Sequence, residues 1–124
     1  MILPDTAFNV LYTNKINETK AFYEKIGAII SEFEKEKLVL NLAGFDLHFI
    51  LSSSELFSEY NYVANSESFG GGILFYFAVS DIESFYELIE LSGGVIKSPI
   101  KKNHWDAKEF LFEDPNGYKF VAYK

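Results

Sequence analysis

Two stretches decide the fold: Phe8-Asn9-Val10-Leu11-Tyr12-Thr13-Asn14-Lys15-Ile16, and Leu74-Phe75-Tyr76-Phe77-Ala78-Val79-Ser80-Asp81-Ile82. Each opens with aromatic, aliphatic and β-branched residues that lack helical spacing, so Phe8 to Tyr12 and Leu74 to Val79 are predicted strands. Each then enters an amphipathic helix. Thr19, Phe22, Tyr23 and Ile26 recur at i, i+3, i+4 and i+7, and Ile82, Phe85, Tyr86 and Ile89 repeat that spacing. Asn17 is read as the N-cap of the first helix and Asp81 as that of the second, while Gly27 and Gly93-Gly94 supply the stops. Gly27 follows Ile16 by 11 positions and Gly93 follows Ile82 by 11, so a shift of 66 lays one unit on the other.

Downstream of each helix the chain continues in short apolar runs. Ala28 to Phe33, Leu38 to Leu42 and Leu47 to Leu51 read as three strands, separated by the charged turn Glu34 to Lys37 and by Ala43-Gly44. Val95 to Ile96, Glu109 to Phe112 and Tyr118 to Tyr123 form the second set, with Asp114-Pro115-Asn116-Gly117 as the last turn. Gly44-Phe45-Asp46-Leu47-His48 matches Gly117-Tyr118-Lys119-Phe120-Val121 at a shift of 73, which places about seven extra residues in the second half, read at Ile100 to Trp105. The chain is therefore a duplicated βαβββ unit, with modules 6–52 and 73–124 and a Ser-, Glu- and Gly-rich connector, 53–72, that has room for one helical turn at Ser54 to Tyr60. Neither unit covers its own sheet, so the two share a core in one domain, 1–124.

Composition narrows the function. The 124 residues carry 48% hydrophobic and 23% charged residues, a balance that folds. A formal charge of -7 is a poor match to nucleic acid or an anionic bilayer, so neither is expected as a partner. The absence of Cys excludes disulfides, thiolate nucleophiles and Cys-ligated metal. No basic flank precedes an apolar run at the start, and no apolar stretch reaches membrane length, so a cytoplasmic protein is expected. No Gly-x-Ser-x-Gly elbow, phosphate loop or His-Glu-x-x-His is present, and Gly70-Gly71-Gly72 reads as a flexible entry to the fifth strand.

With Thr13 to Gly27, the Val79-Ser80-Asp81-Ile82 helix entry, and Trp105 followed by Asp114-Pro115-Asn116-Gly117-Tyr118, the chain resembles the vicinal oxygen chelate superfamily. That superfamily includes glyoxalase I, extradiol dioxygenases, fosfomycin-resistance enzymes and bleomycin-resistance proteins. The resemblance implies an α+β fold of two tandem βαβββ modules whose curved sheets enclose a cavity, often completed by a second subunit; a homodimer is expected. Phe57 and Phe69 in the connector are read as residues that could dock on that partner.

Metal-dependent members place one ligand on the first and one on the last strand of each module. Those slots hold Phe8, His48, Leu74 and Val121 here. A divalent ion needs nitrogen or oxygen lone pairs, and one imidazole is one ligand of the three or so a catalytic zinc site uses. No metal, cofactor or catalytic residue is therefore expected, and the likeness is to the metal-free, bleomycin-resistance-like members. Glu109 and Glu113 reach inward only in a register one residue away from this reading, and His104 is read as a surface residue.

Strand alternation carries Val10, Tyr12, Ile50, Tyr76, Ala78 and Tyr123 to the same face as the four slots, with Trp105 closing the mouth. The expected function is binding or sequestration of a small aromatic or cationic molecule. Two alternatives stand beside it: a metal-dependent lyase, isomerase or dioxygenase built on His48 with Glu109 or Glu113, and a scaffold or regulatory dimer with a filled cavity.

Overall fold

The computed structural model describes residues 2–55, 59–60, 64 and 69–124. Its elements are β1 (Asn9–Thr13), α1 (Ile16–Lys25), β2 (Ile29–Phe33), β3 (Lys37–Leu42), β4 (Phe45–Leu51), β5 (Phe75–Ala78), α2 (Ile82–Leu91), β6 (Val95–Lys102), β7 (Lys108–Glu113) and β8 (Lys119–Tyr123). They form two four-stranded sheets of the same order, β1-β4-β3-β2 and β5-β8-β7-β6. In each, the first strand runs parallel to the last and the other pairings are antiparallel hairpins. Val10 pairs with His48 and Tyr76 with Val121, so the duplication extends to the register.

Alternation divides each sheet into two faces. In the first module Leu11, Leu38, Leu40, Leu47 and Phe49 turn toward α1 and are buried with Phe22 and Tyr23; in the second, Phe75, Phe77, Phe110, Phe112 and Phe120 are buried with Ile82 and Ile89. All belong to one apolar cluster. Rings cross between modules: Tyr23 meets Phe120 at 6.2 Å, Phe49 meets Tyr118 at 5.9 Å and Phe45 meets Phe75 edge-on at 5.4 Å.

Several boundaries differ from the sequence reading, each for a local reason. Asp81 caps α2 as expected, accepting a hydrogen bond from the Ser84 amide at 3.0 Å, but Asn17 caps nothing. Helix α1 starts after Lys15, whose amide donates to the Thr13 hydroxyl at 3.0 Å, so the turn is organised one step earlier in the chain. Strand β6, read from the sequence as Val95 to Ile96, runs on through Lys97, Ser98 and Pro99 to Lys102. It is the edge of its sheet, where proline removes no ladder bond, and its register shifts at Ile96/Ser98 and Ser98/Lys101. The residues read as an insertion lie in this longer strand and the turn beyond it.

The connector is tied at both ends. Ser52 donates its amide to the Thr13 carbonyl and the buried Ser54 hydroxyl bonds Glu36 at 2.7 Å. At the far end Phe69 stacks on Tyr118 at 6.0 Å and packs against the core, so it is taken up within the chain. Gly70 is a close-approach residue: a Cβ there would meet the Tyr118 Cα at 2.7 Å and the Gly117 carbonyl at 2.8 Å, at φ +81°. The expected helical turn at Ser54 to Tyr60 runs through 56–58, Phe57 included, which lie outside the described residues.

Candidate functional site

On the face of the first sheet turned away from α1, Phe8, Val10, Tyr12, His48 and Ile50 line a hollow of about 350 Å³. Lys37, from β3, and Glu59 and Tyr60, from the connector, complete its wall. The volume is at the small end of the range for ligand pockets. Phe8 and Val10 are 57% and 49% exposed, large apolar side chains left in contact with solvent.

At the centre of this wall the Phe8 ring lies flat on the His48 imidazole, centroids 4.1 Å apart and planes 16° from parallel. Phe8 precedes β1, and His48 is carried by β4 beside Val10, so the parallel pairing of first and last strands brings the two rings together. A short parallel contact of this kind covers one face of the imidazole with carbon.

The six residues expected from the second module, Leu74, Tyr76, Ala78, Trp105, Val121 and Tyr123, are not among the residues that line this hollow. Leu74 and Tyr76 lie on the corresponding face of the second sheet, 48% and 39% exposed; Tyr76 and Tyr123 make a tilted ring contact at 6.3 Å, and Val121 is buried. Trp105 does not close the mouth. It stands exposed at the tip of the β6–β7 hairpin, its ring 4.4 Å from His104, in a turn braced by the Asn103 carboxamide. The residues read as one lining thus lie on two walls, one in each sheet, and alternation alone does not decide which faces oppose each other.

Glu109 and Glu113 also differ from expectation. They pair with Tyr123 and Lys119 and therefore share the face of the slot residue Val121, the side turned away from α2, because Phe110 and Phe112 take the fully buried face. The register risk falls on these two glutamates: the more apolar alternate set goes to the helix-covered side. Both are engaged. The Asn103 side-chain amide donates to Glu109 at 2.7 Å and Lys97 Nζ lies 3.4 Å from Glu113.

A divalent ion does not fit the residues at the four slots. Phe8, Leu74 and Val121 have no lone pair to donate, His48 is stacked, and among the described residues no group of three or more His, Asp or Glu side chains could hold an ion. Among the described residues no helix is long and apolar enough to cross a membrane.

A second polar centre, with no periodic signature in the sequence, lies where the two modules meet. The Asp114 carboxylate, 2% exposed, accepts from the Tyr23 hydroxyl at 2.7 Å, the Asn116 amide at 2.8 Å, the Tyr118 amide at 2.9 Å and the Asn116 side-chain amide at 3.3 Å. The Thr13 hydroxyl donates to Asn116 Oδ1 at 2.6 Å, and Asn116 Nδ2 donates to the Thr19 hydroxyl at 3.0 Å. Tyr118 Oη accepts from the Tyr12 amide at 2.7 Å and donates to the Tyr12 carbonyl at 2.8 Å, filling a backbone pair at the free edge of β1. Burial raises the Asp114 carboxyl above its ordinary range against the pull of its donors. Burial, then the nearby Asp114 charge, holds the Tyr23 phenol well above its ordinary range, and burial likewise raises Tyr118. The turn read as a plain hairpin is thus the clasp that docks the second module on α1 and β1.

Comparison with known structures finds this arrangement elsewhere at low sequence identity. A glyoxalase/bleomycin resistance protein/dioxygenase family enzyme from Burkholderia phytofirmans PsJN superposes with a TM-score of 0.79 at 16% identity, covering 94% of each chain. A hypothetical protein from S. aureus gives 0.79 at 13% identity over 98% of this chain and 94% of that one. A glyoxalase-related enzyme from Fulvimarina pelagi gives 0.78 at 16% identity over 98% and 88%. No curated protein matches the sequence. The family model for the Glyoxalase/Bleomycin resistance protein/Dioxygenase superfamily matches residues 6–122, nearly the whole chain, and the protein belongs to that superfamily.

Proposed function

We propose that this protein binds a flat aromatic or cationic small molecule in the hollow of its first module, without a metal ion. The observation that carries the reading is the Phe8–His48 stack at two positions where a chelating relative would place ligands. Three of the four slots offer only carbon, so a Lewis-acid role at this position has no support from the donor set. The wall instead offers ring faces and aliphatic edges with the Tyr12 hydroxyl and the Lys37 and Glu59 charges at hand. Such a surface recognises planar molecules by stacking, and a net charge of -7 draws cations toward it.

A homodimer fits the same picture. The hollow is walled by the first module and the connector, whereas the second module carries its own uncovered face with Leu74 and Tyr76. A second copy that lays the Leu74–Tyr76 face over the Phe8–Val10 face buries both. Sedimentation at micromolar concentration is expected to show a dimer, weakened by Tyr76→Glu; a monomer under those conditions contradicts the pairing.

Binding is tested by titrating the protein into a planar cationic dye such as acridine orange and following dye fluorescence. Trp105 emission is a poor reporter, since the indole lies at the hairpin tip. Saturable binding is expected, with Phe8→Ala weakening it by about tenfold, the loss of one aromatic stack of roughly 1.5 kcal/mol. If neither the dye nor neutral or anionic planar analogues bind, or if Phe8→Ala binds the dye like the unaltered protein, the assignment fails.

A further inference from the structure

Asn116 is the only asparagine in the sequence that is followed by glycine. Such a pair carries its own covalent chemistry. The glycine backbone nitrogen, on losing its proton, attacks Cγ of the asparagine side chain. A bond from that nitrogen to Cγ closes a cyclic imide, the bond from Cγ to the amide nitrogen breaks, and that nitrogen leaves with a proton as ammonia. Water then opens the ring at either carbonyl to give aspartate or isoaspartate. Glycine favours the step because it has no Cβ to block ring closure.

In this fold both reacting groups are restrained. The nucleophile, the Gly117 amide, donates its proton to the Asp114 carbonyl at 3.1 Å. The electrophile is held by the Thr13 hydroxyl on Oδ1 at 2.6 Å and by Thr19 and Asp114 as acceptors for Nδ2 at 3.0 and 3.3 Å. Three of these four restraints come from the turn itself or from Thr13, and Thr13 and Thr19 belong to the other module. Parting the modules therefore frees the asparagine side chain of its hydroxyl partners.

The product does not fit the same place. A carboxylate at 116 has no donor for the Asp114 oxygen that now accepts from Nδ2, and sets a second negative charge against a buried one. Thr19 already donates its hydroxyl to the Lys15 carbonyl at 2.8 Å, and so has no proton to offer the new oxygen while that bond is kept. Isoaspartate adds a backbone atom to a turn in which Gly117 sits at φ +97° with the connector against it.

We propose that Asn116–Gly117 is a latent deamidation site, held off by the junction of the two modules, and that its conversion prevents the modules from re-docking once they have parted. The site then records opening irreversibly, whatever the hollow binds.

The test incubates the full chain at mildly alkaline pH, folded and in urea, and follows conversion at Asn116 by peptide mass and isoaspartate detection. Conversion of the folded protein is expected to be at least about tenfold slower than that of the unfolded chain, because only the open fraction reacts. Thr19→Val is expected to raise the folded rate severalfold and leave the rate in urea unchanged. The purified converted protein is expected to unfold at lower urea than its unconverted parent. Equal rates in the folded and unfolded chains, or a converted protein as stable as its parent, overturns the proposal. The unaltered protein supplies both of those readouts, so they stand even if the threonine variant does not fold.

Discussion

Asp114→Ala is expected to cost the fold about 3 kcal/mol, the largest single loss among polar residues. The carboxylate is 2% exposed and receives four hydrogen bonds, one of them from Tyr23 on the far side of the module junction. Hydrogen bonds to a charged group contribute roughly 1.5–3 kcal/mol each, and removing the acceptor leaves buried donors unpaired. Relief of a buried charge offsets part of that sum, since burial already raises the Asp114 carboxyl above its ordinary range. Tyr23→Phe removes a single donor and is expected to cost about 1–1.5 kcal/mol. Because the two side chains share one hydrogen bond, the double variant is expected to lose less than the sum of the single ones. Urea unfolding at neutral pH measures all three, and a loss below about 0.5 kcal/mol for Asp114→Ala, the usual range of a surface substitution, contradicts the role given to this turn.

The same junction makes the fold sensitive to base. Tyr23 and Tyr118 both have phenols raised above the ordinary value of 10.0, and burial is the leading cause in each. A group raised in the folded state contributes fully below its unfolded pKa, and that contribution is lost as pH climbs toward the folded one. Stability is therefore expected to hold up to about pH 10 and then fall by roughly 1.4 kcal/mol per pH unit for each tyrosine that stays protonated in the fold. Tyr118 enters because its hydroxyl donates to the Tyr12 carbonyl, a bond that a phenolate cannot make. Tyr118→Phe is less stable at neutral pH but is expected to lose stability with a shallower slope above pH 10. A wild-type urea midpoint that does not move between about pH 9 and 11 contradicts this.

These effects arise where sequence reading was least informative. Duplication was legible because helix faces and strand starts recur at one spacing: Phe22-Tyr23 falls on Leu88-Ile89 in chain position, while the core-facing stripes Thr19, Phe22, Tyr23 and Ile82, Phe85, Ile89 follow the same helical period, Phe85 being half-buried. The slot positions were read from the same spacing, and the rings of Phe8 and His48 stack. The clasp was not, since its bonds join residues about a hundred positions apart and leave no periodic trace: Thr13 with Asn116, Tyr12 with Tyr118, Tyr23 with Asp114. Glu109 and Glu113 were placed on the wrong face because a strand of alternating Phe and Glu fixes its orientation only once the covering helix is known. Strand β6 was read only as Val95 to Ile96, whereas it runs on to Lys102 past a proline that an edge position tolerates. The shared cavity was divided because alternation assigns a side chain to a face but says nothing about which face opposes it.

The claim on which the function rests is that carbon, not a chelating set, surrounds His48. Calorimetric titration of the dialysed protein with zinc, nickel and manganese tests it most directly, with His48→Ala as the paired sample. No stoichiometric site is expected, and any weak heat is expected to be the same in both proteins. One ion bound per chain at micromolar concentration, and lost in His48→Ala, contradicts it.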